Sequence, residues 1–433
     1  MRYTAPVVEA LQKISGAKDG LMVRPGEIEA DLAAPTADAV CEALRVALLE
    51  KIAVRTRLFP FGVLRNAPRD ARVLHLDVRK HVGVVEHSPA DATVTVRCGT
   101  RWSALQEAVG AAGQWVPLDP PADAAMTVGE VIAKNEWGPR RAGYGTIREH
   151  LLGVRFALMG GQALKTGGAV VKSATGYDLH RLQVGALESL GVALEATLRL
   201  RAKPAAAATV LTHAPSVEAA LERARALRAL RATPAAMFAL AMPPADPQAA
   251  PIVKLAARYE GHALAVDAAV EAACKAAEAW RVAEPEIAEQ LLRDAREAGL
   301  EPGFRSVGAP SLTLRVACRP SRVDEVVRAV VDVLRRGDRK TWCCVHPSIA
   351  VADLWTTPRA GEDPLATLAE AAAAAAGRAT VRLRRPFESH ALELPRDAAP
   401  ALKIMERLKN LADPMGLLNP GVLPYRRSAN GHG

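Results

Sequence analysis

Between residues 117 and 200 the glycines, prolines and small polar residues are too regularly placed for ordinary connecting loops. In order the chain reads PLDPP (117–121), TVGEVIAKNEWGPRR (127–141), YGTIREHLLGVR (144–155), TGGAVVKSATGYDLHRLQVG (166–185) and ESLGVALEATL (188–198). A large anionic ligand requires backbone amides aimed at its phosphates, and residues without Cβ where the main chain passes close to it. Gly129, Gly138, Gly145, Gly185 and Gly191 are candidates for that service. Neither GxGxxG nor GxxxxGK[ST] occurs in these segments, which argues against Rossmann and Walker-type phosphate binding.

The flanking segments predict an α+β scaffold. EADLAAP (29–35) reads as a strand closed by Pro35, and Thr36 can cap a helix whose Val40, Leu44, Ala47 and Leu48 recur at helical spacing. RVLHLDV (72–78) and TVTVRC (93–98) alternate with period two, so each is expected to bury one face. WSALQEAVGAAG (102–113) returns to helical period, and GVRFALM with QALKTGG predicts a hairpin turning at Gly160-Gly161. Beyond Lys203-Pro204 the pattern predicts strands near 208–213, 236–241, 252–259 and 311–319, with helices at 217–230, 264–281 and 285–298. A helix opened by a Ser321-x-x-Asp324 capping box follows, and the alanine run 371–376 is expected to be helical. Two β-α-β sets sharing an antiparallel sheet are the natural solution.

Composition removes several function classes. No apolar run approaches the ~20 residues of a membrane helix, and the start, MRYTAPVVEALQKISG, is polar where a signal peptide would be apolar. The chain therefore reads as cytoplasmic. The net charge of +9 is spread among acids with only 4% aromatics, unlike the concentrated basic, ring-bearing face of a nucleic-acid binder. The six cysteines form no CxxC pair, so no zinc or iron–sulfur site is expected, and Cys98 and Cys318 read as buried thiols. His213, His262, His346 and His390 are isolated, although Glu388 and His390 share a strand face. Arg140, Arg141 and Arg148 read equally as an anion-facing group or as surface salt bridges.

The combined array resembles the FAD-binding domain of the vanillyl-alcohol oxidase/PCMH flavoprotein superfamily, and within it the E-subunit branch of the bacterial glycolate oxidases. LDVRKHVGVVEHSPADATVTVRCGTRWSALQEAVGAAGQWVPLDPP (76–121), GPRRAGYGTIREHLLGVR and KSATGYDLHRLQVG carry the likeness, and LADPMGLLNPGVL (411–423) is similar to the closing segment of the FAD-linked oxidase C-terminal domain. The resemblance implies a helical extension at 1–24 and a PCMH-type FAD-binding domain of two α+β subdomains at 25–204. A ferredoxin-like FAD-linked oxidase cap at 205–433 completes the chain. It implies FAD as cofactor, held by Pro120, Thr127, Gly129, Asn135, Gly138, Gly145, Arg148, Asp178, Gly185, Gly191 and Val192. It also implies a catalytic flavin subunit and an iron–sulfur subunit as partners, with membrane association only through them.

Three departures from the family pattern bear on function. The first loop, usually RGGGS, falls near Arg55–Gly62 and reads RTRLFPFG; Phe59, Pro60 and Phe61 replace glycines, and Pro60 has no N–H. The second segment has Gly129-Glu130 for Gly-Gly, and GSxGTLG has become GALESLG, with Glu188 in a glycine position. A carboxylate ~4 Å from a phosphate charge costs about 1 kcal/mol in water and about 4 at an effective dielectric of about 20. Either Glu188 turns outward, or pairs with Arg55, Arg57 or Arg140, and FAD binds, or the fold is a flavin-free scaffold. The HxGxxxxH metal cluster of catalytic relatives is absent, so no catalytic residue is assigned and an accessory or electron-relaying subunit is expected; a stand-alone flavin oxidase is the other reading.

Overall fold

The computed structural model describes residues 3–16, 20–23, 29–57, 72–122, 124–168, 178–242, 252–276, 280–298, 312–335, 341–356, 364–375, 378–385, 392–393 and 399–421. Phe59, Pro60, Phe61, Glu388 and His390 lie outside them.

The first sheet orders its strands Leu21–Val23, Glu29–Ala33, Val73–Asp77 and Ala53–Thr56. The last three are parallel, joined through the helix Ala37–Leu49, whose Thr36 side chain accepts from the Ala39 N–H as the cap pattern requires. Val40, Leu44 and Ala47 are buried on that helix, where they meet Leu11 of the N-terminal helix Ala5–Ser15. Val73 to Leu76 are all buried, not alternately as the sequence predicts. Ala30, Leu32, Val54, Leu74 and Leu76, on one face of this sheet, share a core with the helices and with Ala157, Met159, Val192 and Leu194 of the second sheet.

The second sheet is antiparallel, ordered Val84–Ser88, Thr93–Arg97, Val192–Arg199, Leu151–Ala157 and Ala163–Gly167. The predicted hairpin forms, pairing Ala157 with Ala163, and Gly161 supplies the positive φ of its turn. The helices Trp102–Gly110 and Val128–Lys134 pack on this sheet through Trp102, Leu105, Val131 and Ile132.

The third sheet has nine strands and resolves into two ferredoxin-like β-α-β-β-α-β units. The first runs 206–214, helix 217–228, 236–242, 252–261, helix 263–276 and 281–282; the second runs 312–318, helix 323–335, 341–346, 351–356, helix 364–374 and 379–385. Their inner edges join where Ala239, Leu240 and Ala241 pair with Val345, Cys344 and Cys343. Met237, Ala239 and Ala241 face the core shared with Leu221, Val266 and Val327 of the helices. Their alternates Ala236, Phe238 and Leu240 pack with Leu291 and Leu292 of the helix Pro285–Glu297 on the opposite side. Ser321 does not cap: it sits in a 3-10 turn, Pro320–Arg322, and the helix starts at Val323 because Pro320 opens the turn first.

After the helix Ala399–Ala412 the chain returns to the first sheet. The Val54 N–H donates to Leu417 O (2.8 Å), the Asn419 N–H donates to Val54 O (2.8 Å), and Leu418 enters the first core. Residues 417–419 thus extend the first sheet rather than the cap.

Candidate functional site

The segments that depart from the family pattern converge on one place. Thr56 ends a parallel strand of the first sheet, and its N–H donates to Asn419 Oδ1 (2.9 Å). Asn419 Nδ2 donates in turn to Thr56 Oγ1, Leu187 O and Glu188 O at 3.0, 3.1 and 3.2 Å. Lys409 Nζ donates to Ser189 O, Leu418 O and Asp413 Oδ2, each at 2.7 Å. The Gly185 and Leu187 N–H groups donate to Ile132 O and Ala133 O of the helix 128–134. The 185–191 loop is therefore gripped by the helix on one side and by the chain's C-terminal segment on the other.

That grip holds a strained backbone. Leu187 and Glu188 both have left-handed φ, 53° and 52°, a conformation that costs a side-chain-bearing residue on the order of 1–3 kcal/mol. Here lies a physical reason for the family's glycine at position 188. Gly191 answers to close approach instead: a Cβ there would lie 2.6 Å from Phe156 Cδ2. Among the described residues, the N–H groups of Glu188, Leu190 and Gly191 have no protein acceptor. Main-chain donors in so enclosed a loop need one, and they fit an anionic cofactor.

Glu188 does not turn outward. Its exposure is 2%, its Oε1 accepts from the Ala193 N–H (3.2 Å), and its Oε2 is buried with no partner. Burial pushes its carboxyl up to about 7, against the pull of the nearby Thr56 hydroxyl and the Ala193 N–H; Glu130 adds to the rise and Lys134 opposes it. Glu130 also has a local task. Its Oε2 accepts from the Thr127 N–H (2.7 Å) while Thr127 Oγ1 accepts from the Glu130 N–H (3.2 Å), a closed capping box. The T-x-x-E spacing at 127–130 was the signal for it, repeated at Thr146–Glu149.

The other residues named from the sequence fall into two groups. Gly129, Asn135, Gly185 and Val192 lie around the loop. The Gly129 N–H donates to Cys98 O, Asn135 ends the helix in a left-handed conformation with a buried, unpartnered Oδ1, and Val192 is fully buried. Pro120 and Gly138 lie at the domain boundary, where a Cβ on Gly138 would meet Asp119 O at 2.0 Å and Asp119 Oδ1 at 2.6 Å. Gly145, with φ 82°, closes the short helix Arg141–Tyr144. Arg148 and Asp178 are exposed; Arg148 Nη1 donates to Arg181 O (3.4 Å), and Asp178 pairs with Arg181 (3.3 Å).

Residues 119–145 rivet this domain to the cap. Arg140 is neither a surface ion pair nor free for an anion: it donates to Glu260 (2.7 Å), its N–H donates to Asp119 Oδ1 (3.1 Å), and Tyr144 donates to the same Glu260 (3.1 Å). Glu260 also accepts from Arg258, and although burial alone would raise it, these cations hold its carboxyl below the usual range. Asp119 is pushed up to about 7 by burial, which the Arg140 charge only partly offsets. Arg141 and Arg315 lie over the Trp137 ring at 4.6 and 4.0 Å, with His346 edge-on at 5.2 Å. Arg315 is held by Asp353 through two hydrogen bonds (2.7 and 2.8 Å), and burial lowers the pKa of His346 beside them. The Arg140–Glu260 and Tyr144–Glu260 bonds and the packing of Arg315 and His346 on Trp137 join residues more than a hundred positions apart, and sequence reasoning missed them.

The two-subdomain body with its loop of unpaired amides, under a duplicated ferredoxin-like cap, is the α+β PCMH-type FAD-binding fold. Residues 29–167 match the family model described as FAD binding domain, so this chain carries a domain that binds FAD. The chain is 39% identical over 132 residues to glycolate oxidase subunit GlcE of Escherichia coli (strain K12), covering 30% of this chain and 38% of that protein. It is 28% identical over 276 residues to glycolate oxidase subunit GlcD of Bacillus subtilis (strain 168), covering 60% and 58%. These alignments span well under two thirds of either relative. The solved structure of alkyldihydroxyacetonephosphate synthase shares the fold, with a TM-score of 0.71 at 13% identity over 98% of this chain and 86% of the other. Among the described residues, no helix is long and apolar enough to cross a membrane, and no His/Cys/Asp/Glu group is placed to hold a metal ion.

Proposed function

We propose that this chain is the FAD-binding, electron-relaying subunit of a glycolate-oxidase-like oxidoreductase complex acting on a 2-hydroxy acid, with a catalytic flavin subunit and an iron–sulfur subunit as partners. The observation that carries the accessory role is the state of the cap's arginines. Among the described residues, Arg258 and Arg315 are two cationic groups on the sheet beside the FAD domain that would suit a substrate carboxylate. Each is already neutralised, Arg258 by Glu260 and Glu289 and Arg315 by Asp353. Freeing either would leave a buried carboxylate uncompensated, at a cost of ~3–5 kcal/mol.

In this reading the amides of Glu188, Leu190 and Gly191 and the cradle of Thr127, Gly129, Asn135, Gly185 and Val192 hold the cofactor. Pro120, Gly138, Gly145, Arg148 and Asp178 serve its remaining length. FAD supplies the two-electron chemistry when bound, and the protein's part is to orient it, exclude water and set its surroundings. The names of the GlcE and GlcD relatives support the glycolate assignment and the multi-subunit setting.

The test is turnover of glycolate and D-lactate with a dye acceptor. The isolated, flavin-loaded chain is expected to give none, and activity is expected only on mixing with the partner flavin and iron–sulfur subunits. Turnover by the chain alone would replace this reading with that of a stand-alone oxidase.

A further inference from the structure

The helix Ala399–Ala412 is amphipathic the wrong way round. Its inward side carries Lys409, buried and bonded to Asp413, Ser189 O and Leu418 O. Its outward side carries Ile404, Leu408 and Leu411; Ile404 is 60% and Leu411 81% exposed, and Leu408 is half-buried. Among the described residues, no apolar side chain of this helix joins the buried cores, although Leu417 and Leu418 just beyond it do. A surface helix ordinarily turns its apolar stripe to the core. Here a buried ion pair ties the helix to the body, and the stripe faces solvent.

The stripe is narrow. Ala401, Ile404, Leu408 and Leu411 follow one another at intervals of three, four and three, the spacing of a seam that receives a second helix. Lys403 and Arg407, four residues apart and both exposed, line one flank of the seam, and Met405 and Ala412 line the other. Among the described residues, neither cation has an acidic partner. These flanks decide the occupant. A second copy laid antiparallel sets Lys403 and Arg407 against their own counterparts, and laid parallel sets them against Met405 and Ala412, so it brings no counter-charge. A helix that lies in a membrane surface presents a broad apolar face with aromatic side chains, and APALKIMERLKNLA has neither. A helix of another polypeptide with Asp or Glu beside its own seam satisfies both the stripe and its basic flank.

We propose that the helix Ala399–Ala412 is the docking surface for an amphipathic helix of a partner subunit, seam against seam, with acidic side chains of the partner answering Lys403 and Arg407. The proposal rests on the multi-subunit reading above and adds where this chain meets its partner. The position suits electron relay. Through Lys409 the same helix holds Ser189 of the cofactor loop, so a partner on its outer side stands about one helix diameter, ~10 Å, from that loop.

The experiment is sedimentation velocity of the full-length chain, alone and mixed in turn with the purified flavin subunit and the purified iron–sulfur subunit. The wild type is expected to be a monomer alone and to bind one of the two. Ile404→Ser with Leu411→Ser is expected to weaken that complex by at least about tenfold. Lys403→Glu with Arg407→Glu is expected to weaken it similarly and to abolish its dependence on salt. All four positions are on the surface, so both double variants are expected to keep the wild-type melting temperature. Complexes as tight in both variants as in the wild type overturn the inference and leave the subunit reading standing. So does a wild-type dimer that the seam variant returns to monomer, or flotation of the wild type with phosphatidylglycerol vesicles that the same variant loses. A wild type that binds neither subunit overturns both.

Discussion

The C-terminal clasp on the cofactor loop has a measurable energy. Lys409 is buried, and its ammonium makes three hydrogen bonds of 2.7 Å: to Asp413, to Ser189 O in the 185–191 loop and to Leu418 O in the strand-like end of the chain. Lys409→Met keeps the aliphatic stem and removes the charge. Asp413, fully buried, would keep only the Leu417 and Leu418 N–H donors (3.1 and 2.8 Å). Leaving such a partner uncompensated costs ~3–5 kcal/mol, and two carbonyls also lose a donor at about 1 kcal/mol each. The expected loss is therefore on the order of 6 kcal/mol. Lys409→Met with Asp413→Asn removes the stranded charge but keeps an acceptor for Leu417 and Leu418, so about 2 kcal/mol should return. Urea unfolding read by tryptophan fluorescence measures both, and FAD affinity should fall in the single variant because the loop loses an anchor. A loss below about 1 kcal/mol in Lys409→Met, or no recovery in the double variant, would refute the account of the clasp.

Three further outcomes are expected. Gly138→Ala should displace the PLDPP loop, because its Cβ would meet Asp119 O at 2.0 Å; thermal unfolding should show a loss on the order of 3 kcal/mol, whereas Gly110→Ala, meeting only the flexible end of Lys203, should be near neutral. Asp119 is at about 7 in the fold against an ordinary 3.8, so the folded state holds the extra proton between those values and stability falls as pH rises through them. The apoprotein should lose on the order of 2 kcal/mol from this group between about pH 5.5 and about pH 8, and Asp119→Asn should remove that share of the slope in urea titrations. Glu260→Gln strips a buried counter-charge from Arg140 and Arg258; on the order of 3 kcal/mol should be lost, and limited proteolysis should cut faster between the FAD domain and the cap.

Local signals carried much of the fold. Thr36 with Val40, Leu44 and Ala47 specified the helix 37–49, the Gly160-Gly161 pair specified its hairpin, and the two strand–helix sets beyond 205 gave the duplicated cap. Each depends on periodicity or on a turn's φ, which neighbours in sequence determine. Strand 73–77 misled because alternation reports one wet face, whereas Val73 and His75 are buried as well as Leu74 and Leu76. At the site, the glycine pattern marked the loop correctly but not the direction of Glu188. That direction depends on Asn419, 231 residues away, and on Lys409, 220 residues from Ser189. The Arg140–Glu260 and Arg315–Asp353 pairs were equally hidden, since a charged residue in a mixed surface pattern gives no sign of the partner that buries it.

The central claim is that Thr56, the helix 128–134 and the 185–192 loop form a cleft that holds FAD. Incubating the purified apoprotein with FAD at pH 6, desalting it and recording the visible spectrum tests this most directly. The account predicts bands near ~370 and ~450 nm that travel with the protein, at about one flavin per chain. A colourless protein fraction, with all flavin in the small-molecule peak, would contradict it.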